Sequence, residues 1–336
     1  MVAPTISILV PVHHRREFVL GALGSILAQT VPRETYEIIV VKNFDDEEID
    51  RRIAELGVVH VRTDAGPLGT KLAQGFARCS GTLIGFLEDD DTFLPEKLAE
   101  VTAAFADPRL GYLHHAQEIV DRAGASLATN YRRETRRSAS LPPGDRRPAA
   151  VRDFMRTSPG FNLSSMVVRR EVLELALPYL ARTNLTCDNL VLYAGLCGSG
   201  GVRNEGRPLT RYRLYASGSW GTATPEARFQ RDREIRAELV AGFQLITEMT
   251  RGHEVAPFAL CDLLERRALS QLADGGSASK LSATELGCLV RCRMLRREFS
   301  FPAMAAGLAL QAISPGLERR LYQQYLRLNT ARLGVG

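Results

Sequence analysis

No stretch of this sequence approaches the roughly 18 apolar residues that a membrane-spanning helix requires. The nearest candidate, Phe301 to Ile313, is too short. A basic segment followed by a long apolar run is also missing from the N-terminus, where Thr5 to Val12 reads as a first strand, so secretion is not expected and a cytoplasmic protein is. The six cysteines (Cys79, Cys187, Cys197, Cys261, Cys288 and Cys292) form no Cys-x-x-Cys pair and stand at no zinc-finger spacing from histidine, which leaves them to be read as reduced, structural thiols. No internal repeat is evident. A net charge of +5 is small for 336 residues, yet it is uneven: from Lys280 to Gly336 nine Lys and Arg face three Glu, a surplus of +6 that leaves −1 for everything before it. The tail is the basic part.

The chain is 45% hydrophobic, enough for a large core in one or two domains. Ile6 to Val12 is β-branched and almost continuously apolar, as a strand covered on both faces is. A polar loop, His13 to Glu17, follows, and then Val19, Leu23, Ile26 and Leu27 at helical spacing. Tyr36 to Val41 reads as a second strand ending in Lys42-Asn43-Phe44-Asp45-Asp46, Glu47 to Leu56 as a helix and Val58 to Arg62 as a third strand. The glycine-bearing loop Asp64 to Lys71 leads into a helix running to about Cys79, with Gly81 read as its C-cap.

A fourth strand, Leu83 to Leu87, ends in Glu88-Asp89-Asp90-Asp91. Four carboxylates at a strand end repel one another, and a hard cation such as Mg²⁺ or Mn²⁺, sharing oxygen ligands with substrate phosphates, is one way to neutralise them. A solvated acidic turn ahead of the next helix is the plainer alternative. The alternation of strands and helices argues for an α/β fold with a mostly parallel, doubly wound sheet, which gathers the three polar loops at its carboxyl edge.

Beyond a helix at Pro95 to Phe105 the pattern is less regular. Tyr112 to Val120 suggests one or two strands, Tyr131 to Arg156 carries eight arginines and reads as a solvated or anion-binding loop, and Phe161 to Arg169 reads as a strand. Glu171 to Leu180 is helical, Thr186 to Tyr193 opens another helix, and Leu209 to Tyr215 is a late strand. From Pro225 the residues Ile235, Leu239, Phe243 and Ile246 mark a helix, and Ser282 with Glu285 forms a capping box. The expected division is a catalytic α/β domain over 1–222 and a helical C-terminal region over 223–336.

The ordered set Ile-Ser-Ile-Leu-Val-Pro-Val, Glu-Ile-Ile-Val-Val and Gly-Thr-Leu-Ile-Gly-Phe-Leu-Glu-Asp-Asp-Asp-Thr-Phe-Leu-Pro, with its spacing, resembles the family 2 glycosyltransferases, inverting enzymes of the Rossmann-like GT-A fold, over about residues 5 to 215. The resemblance implies a metal-dependent transfer of a sugar from a nucleotide-sugar donor to an acceptor hydroxyl on a glycan or a lipid-linked molecule. It points to Pro11, Val12 and His13 for the nucleobase, with Arg15 and Glu17 close by. Where the family usually has two aspartates at the end of the second strand, this chain has Lys42-Asn43, and Asn43 is left to bond the base edge. Glu88-Asp89-Asp90 takes the place of the DXD motif, with Asp90 on Mg²⁺ or Mn²⁺, Glu88 and Asp89 on ribose or on water-bridged metal contacts, and Lys71 on the diphosphate. Asp188 falls where the family has its general base, although a helix cap would suit it equally. Arg213, Tyr215 and Trp220 fall on a late loop that folds over the donor, or pack in the core.

Two other readings stand beside this one: a non-catalytic nucleotide-sugar-binding protein, and a sugar nucleotidyltransferase, for which the glycine-rich phosphate loop expected after the first strand is missing. Processive synthesis is not expected, since the Gln-x-x-Arg-Trp motif and membrane spans are lacking, and neither is a nucleic-acid partner. The arginines of residues 280–330 suit peripheral contact with the inner face of an anionic membrane, and a helical cap or dimer contact fits them as well.

Overall fold

The computed structural model describes residues 5–13, 15–215, 225–274 and 280–296. It divides into two compact units, Met1–Leu214 and Tyr215–Gly336. The first unit opens with β1 (Ile6–Val12), α1 (Arg16–Leu27), β2 (Tyr36–Lys42), α2 (Glu47–Glu55), β3 (Val59–Arg62), α3 (Leu68–Phe76) and β4 (Leu83–Phe86). Every residue of β1 and β4 is buried, because these strands lie inside the sheet with helices packed against it and are apolar on both faces apart from Ser7, whose hydroxyl donates to Glu37. β1 pairs in parallel with β2 and β4, and β2 in parallel with β3, so all four carboxyl ends open on one edge.

The chain continues through β5 (Thr92–Phe93), α4 (Lys97–Ala104), β6 (Leu110–Val120), β7 (Ala139–Leu141), α5 (Pro148–Met155), β8 (Met166–Arg169), α6 (Arg170–Leu180), α7 (Cys187–Cys197) and β9 (Gly201–Arg213). The sheet runs β3-β2-β1-β4-β8-β6-β9-β5, with β7 on β9. Beyond β4 it is mixed: β8 is antiparallel to both β4 and β6, β6 is parallel to β9, and β5 and β7 are antiparallel to β9. The parallel pattern of the sequence therefore describes the first half of the sheet.

Three local expectations change. The strand expected from Phe161 begins only at Met166, because Asn162 adopts φ 67° and Leu163–Ser165 forms a single 3-10 turn. Gly81 caps no helix, since α3 ends at Ala77. It lies where the chain passes β1, and a Cβ there would meet the Ser7 backbone nitrogen at 2.7 Å. The arginine-rich segment is built into the fold: it contains β7 and α5, and the buried Arg146 guanidinium donates to the carbonyls of Leu196, Gly198 and Gly200 at 2.5, 3.1 and 2.8 Å. It thus satisfies carbonyls at the carboxyl end of α7, where a cation also complements the helix dipole.

The second unit contains α8 (Pro225–Met249), α9 (Ala256–Asp274) and α10 (Ala283–Arg296). Leu264, Ala268 and Leu272, four residues apart on α9, meet Leu289 of α10 in a small core. The capping box is present: Ser282 N–H donates to Glu285 Oε2 at 2.8 Å, and Glu285 N–H to Ser282 Oγ at 3.2 Å. Cys79, Cys187, Cys197 and Cys288 are free, whereas Cys261 is disulfide-bonded, against the expectation that all six cysteines are reduced. No helix among the described residues is long and apolar enough to cross a membrane. Most of the basic tail, residues 297–336, lies outside the described residues.

Close packing of α3 on the end of α6 gives a test. A Cβ at Gly69 would stand 1.8 Å from the Leu180 carbonyl oxygen, whereas one at Gly66 would meet nothing within 4 Å. Gly69→Ala is expected to cost about 2 kcal/mol through forced backbone movement, and Gly66→Ala less than about 0.5 kcal/mol, read as shifts in urea midpoint.

Candidate active site

The loop after β4 carries the acids, and each is held by a different part of the unit. Asp89, fully buried, accepts the His13 N–H at 2.7 Å and forms an ion pair with the Arg15 guanidinium at 2.7 Å. The same guanidinium also pairs with Asp90. Asp91, buried, accepts the Arg213 N–H at 3.0 Å and the Asn162 amide at 2.8 Å, and that amide also reaches Glu88 at 3.1 Å. Glu88 N–H donates to Ser164 Oγ at 3.0 Å.

Burial lifts Asp89 to about 6 despite Arg15, and burial with the Asp90 charge lifts Asp91 to about 7. Glu88 is raised well above the usual carboxylate range by burial and by its two aspartate neighbours. The loop is a store of unfavourable negative charge that a further cation would relieve.

At the nucleotide end, Pro11 and Val12 are the buried last residues of β1. Lys71, 1% exposed, comes from α3 beneath them, donating to the Val12 carbonyl at 2.8 Å and lying 3.0 Å from His13 Nδ1. Burial draws its ammonium down to about 8, against the pull of Asp89. With those partners it supports the end of β1. Lys42, which replaces an expected aspartate, is fully buried and pairs with Asp50 of α2 at 2.7 Å, so the departure from the family pattern is absorbed by that helix. Asn43 next to it has a buried Oδ1 with no hydrogen-bond partner. A buried acceptor left open at the end of β2 is what a ligand N–H would satisfy.

Asp188 stands in the first turn of α7, beyond the cap residue Thr186. Its Oδ1 accepts the Asn189 N–H at 2.7 Å and the Asn189 amide at 2.9 Å. It is close enough to Glu88 for their charges to interact, so the fold brings it to the acidic loop from about 100 residues away. Burial pushes its carboxyl up to about 6, opposed by Asn189 and by Arg132.

Other expected residues are placed differently. Glu17 pairs with Arg122 on the exposed surface at 2.9 Å, outside the acid cluster. Arg213 is spent on architecture: its guanidinium donates to the Asp90 carbonyl at 2.8 Å and the Arg122 carbonyl at 2.6 Å and stacks over Phe18 at 4.5 Å. Tyr215 is the first residue of the second unit, and Trp220 lies outside the described residues.

Asn162, Ser164 and Lys97 are the site residues that sequence reasoning did not single out. Asn162 bridges two acids from a left-handed backbone, a conformation Asn tolerates better than most residues, and only that preference was a signal. Lys97 is fully buried beneath the loop, donating to the Ser164 carbonyl and to Thr210 Oγ1 at 3.2 Å. Burial holds its ammonium well below the lysine range while the Asp91 charge opposes the shift.

Among the described residues no group of three or more His, Cys, Asp or Glu side chains is arranged to hold a metal. The hard carboxylate oxygens of Glu88 and Asp90 nonetheless fit an ion such as Mg²⁺, which binds through one or two carboxylates plus substrate phosphates and water and needs no protein cage. Arg15 occupies Asp90 and would have to share it.

Asn162→Ala would leave Asp91 and Glu88 without their shared donor. It is expected to lower stability by about 1–3 kcal/mol in urea unfolding at neutral pH.

The family model described as glycosyl transferase family 2 matches residues 7–174. That span contains the β1 end, the acidic loop and Asn162, and stops short of Asp188. A similar curated protein, the O-antigen biosynthesis protein RfbC of Myxococcus xanthus, is 30% identical over 182 residues, covering 51% of this chain and 13% of that protein. An uncharacterized glycosyltransferase of Rickettsia bellii is 26% identical over 128 residues, covering 36% of this chain and 18% of its own length. The chain thus spans less than a fifth of these two relatives. Among solved structures, S. aureus TarS 1-349 in complex with UDP-GlcNAc superposes with a TM-score of 0.51 at 14% identity, covering 89% of this chain and 92% of that one, a likeness of fold. With the match to the family model taking in 168 of 336 residues, half its length, the chain belongs to glycosyl transferase family 2.

Proposed function

We propose that the chain transfers a sugar from a nucleoside-diphosphate sugar to an acceptor hydroxyl, with inversion at the anomeric carbon and one transfer per encounter, assisted by a divalent ion at Asp90. The observation that carries this reading is the convergence of two kinds of group at the β4 edge: a charge-strained acidic loop on one side, and a separate carboxylate, Asp188, on the other.

The base of the nucleotide sits at the ends of β1 and β2, where the unsatisfied Asn43 Oδ1 accepts a ring N–H of the kind uracil, thymine and guanine carry. Lys71 keeps the Val12–His13 backbone in place beneath it. Asp90, with Glu88, would hold a divalent ion, which when bound would supply charge neutralisation for the diphosphate leaving group. Arg15, already on Asp89 and Asp90, adds positive charge at the same place. Asp188 takes the proton of the acceptor hydroxyl as that oxygen attacks the anomeric carbon from the face opposite the diphosphate. Raised to about 6, Asp188 is still largely ionised at neutral pH while being a stronger base than an ordinary aspartate.

Two measurements test this. Thermal stability is followed with UDP, GDP, CDP and dTDP, each with and without Mn²⁺, on the wild type and on Asp90→Ala. One nucleotide is expected to raise the unfolding temperature only with metal, and only in the wild type. If none does so, the acidic loop is not a donor site and the reading fails. Nucleotide binding without any consumption of the donor would favour a non-catalytic binding protein.

For the base, kcat should rise with pH through about 6 and then level, because Asp188 must lose its proton to act. Asp188→Asn should lower kcat by about 10²–10⁴-fold and remove that rise. An unchanged pH profile in the variant would assign the base elsewhere.

A further inference from the structure

Three aromatic rings meet next to residues that hold the acidic loop, in a cluster the donor reading does not use. Phe161 and Tyr212 pack edge to face at 5.0 Å, Tyr131 meets Phe161 edge to face at 5.8 Å, and Tyr131 stacks on Tyr212 at 6.3 Å. Rings so close usually form a core, yet all three are only half-buried and keep surface towards solvent. The Arg132 guanidinium lies 4.5 Å over the Phe161 ring and is exposed.

The cluster adjoins the acidic loop: Asn162, which follows Phe161, and the Arg213 N–H, which follows Tyr212, donate to Asp91 at 2.8 and 3.0 Å. The charges of Asp91, Glu88 and Asp90 reach the Tyr212 hydroxyl, and that of Arg132 reaches the Asp188 carboxyl. It also stands on the far side of β4 from the nucleotide end. The sheet order puts β1 and β2 to one side of β4 and β8, β6 and β9 to the other, and the aromatic residues come from the end of β9 and from loops tied to β6. An acceptor that attacks opposite the departing diphosphate has to approach from that second side.

Two backbone features support a built site. Arg132, next to Tyr131, has φ 53°, and Asn162, next to Phe161, has φ 67°. Left-handed backbone at two non-glycine residues is a strain that folds retain mostly at functional sites. Here the two turns that bear it are tied together, because Ser158 Oγ donates to Glu134 Oε1 at 3.0 Å.

We propose that Tyr131, Phe161 and Tyr212, with Arg132 at their rim, form the acceptor subsite, and that the acceptor presents a sugar ring there. This rests on the glycosyltransferase reading and adds the chemical class of the acceptor. The C–H face of a pyranose is weakly positive and packs on the electron-rich faces of aromatic rings, while its hydroxyls accept hydrogen bonds from the guanidinium fork. Stacking holds the ring by its face and leaves the hydroxyl at its edge directed to Asp188. A bare lipid alcohol or a serine hydroxyl would offer neither the face nor the extra acceptors.

The test uses the full chain and a panel of methyl glycosides of glucose, galactose, mannose, rhamnose and N-acetylglucosamine, followed by saturation-transfer NMR with and without UDP or GDP. At least one glycoside is expected to receive saturation on its ring C–H protons from the wild type. Tyr131→Ala should weaken that binding by about tenfold. Tyr131→Phe, which keeps the ring, should retain it, and both variants should keep the wild-type unfolding temperature within a few degrees.

If a nucleotide binds but no glycoside does, or if Tyr131→Ala binds the glycoside as well as the wild type, the acceptor subsite is not here. If Tyr131→Ala weakens the nucleotide sugar instead, the aromatic wall belongs to the donor, and the inference is overturned. If neither nucleotide nor glycoside binds, the glycosyltransferase reading falls and takes this inference with it.

Discussion

Four adjacent carboxylates at the end of one short buried strand are an electrostatic liability, and much of the first unit is arranged to hold them. Arg15 and the His13 N–H come from the end of β1, Asn162 and Ser164 from the turn before β8, Lys97 from the start of α4, and Arg213 from the end of β9. Each supplies a hydrogen-bond partner or a positive charge to the loop or to the turn beneath it. The compensation is incomplete, since Glu88, Asp89 and Asp91 all remain raised above ordinary carboxylates, mainly because they are buried. A site in that state gains from any cation that enters it, and this physical reason ties the fold to an anionic, metal-accompanied substrate under the proposed reading.

The sheet divides the labour. Its parallel half, β3-β2-β1-β4, buries continuous apolar strands and releases the chain into polar loops at one edge, the ordinary place for a nucleotide in an α/β protein. Its mixed half brings in residues from farther along the chain, and Asp188 arrives with them on α7. That helix is secured at its other end by Arg146, whose guanidinium takes up carbonyls around the helix terminus. An arginine that reads as part of a solvated linker therefore helps to fix the helix bearing the proposed base.

Much of the parallel half was legible in the residues themselves. Ile6 to Val12 and Leu83 to Leu87 are apolar runs of strand length ending in charge, and a buried parallel strand has no other common appearance. Ser282 and Glu285 likewise announced their helix start, because a capping box is a contact between residues three apart. Where the sequence reading went astray, the deciding contact was remote. Gly81 resembles a helix cap until Ser7 is found against it from 74 positions earlier. Arg213 looks like part of a loop folding over the donor until its guanidinium is found engaged by backbone carbonyls. Lys97 looks like an ordinary helix-surface lysine, and only its place beneath the acidic loop buries it.

The sequence by itself determined the period and burial of the first strands and the position of the four acids at a strand end, because each is a local property of neighbouring side chains. Only the tertiary structure decided which charges face which. It set Arg15 across Asp89 and Asp90, left Asn43 Oδ1 open, seated Asn162 between Glu88 and Asp91, and brought Asp188 within reach of the Glu88 charge. Such pairings join residues from 71 to about 100 positions apart, and they follow from sheet order and helix packing, which no spacing along the chain encodes.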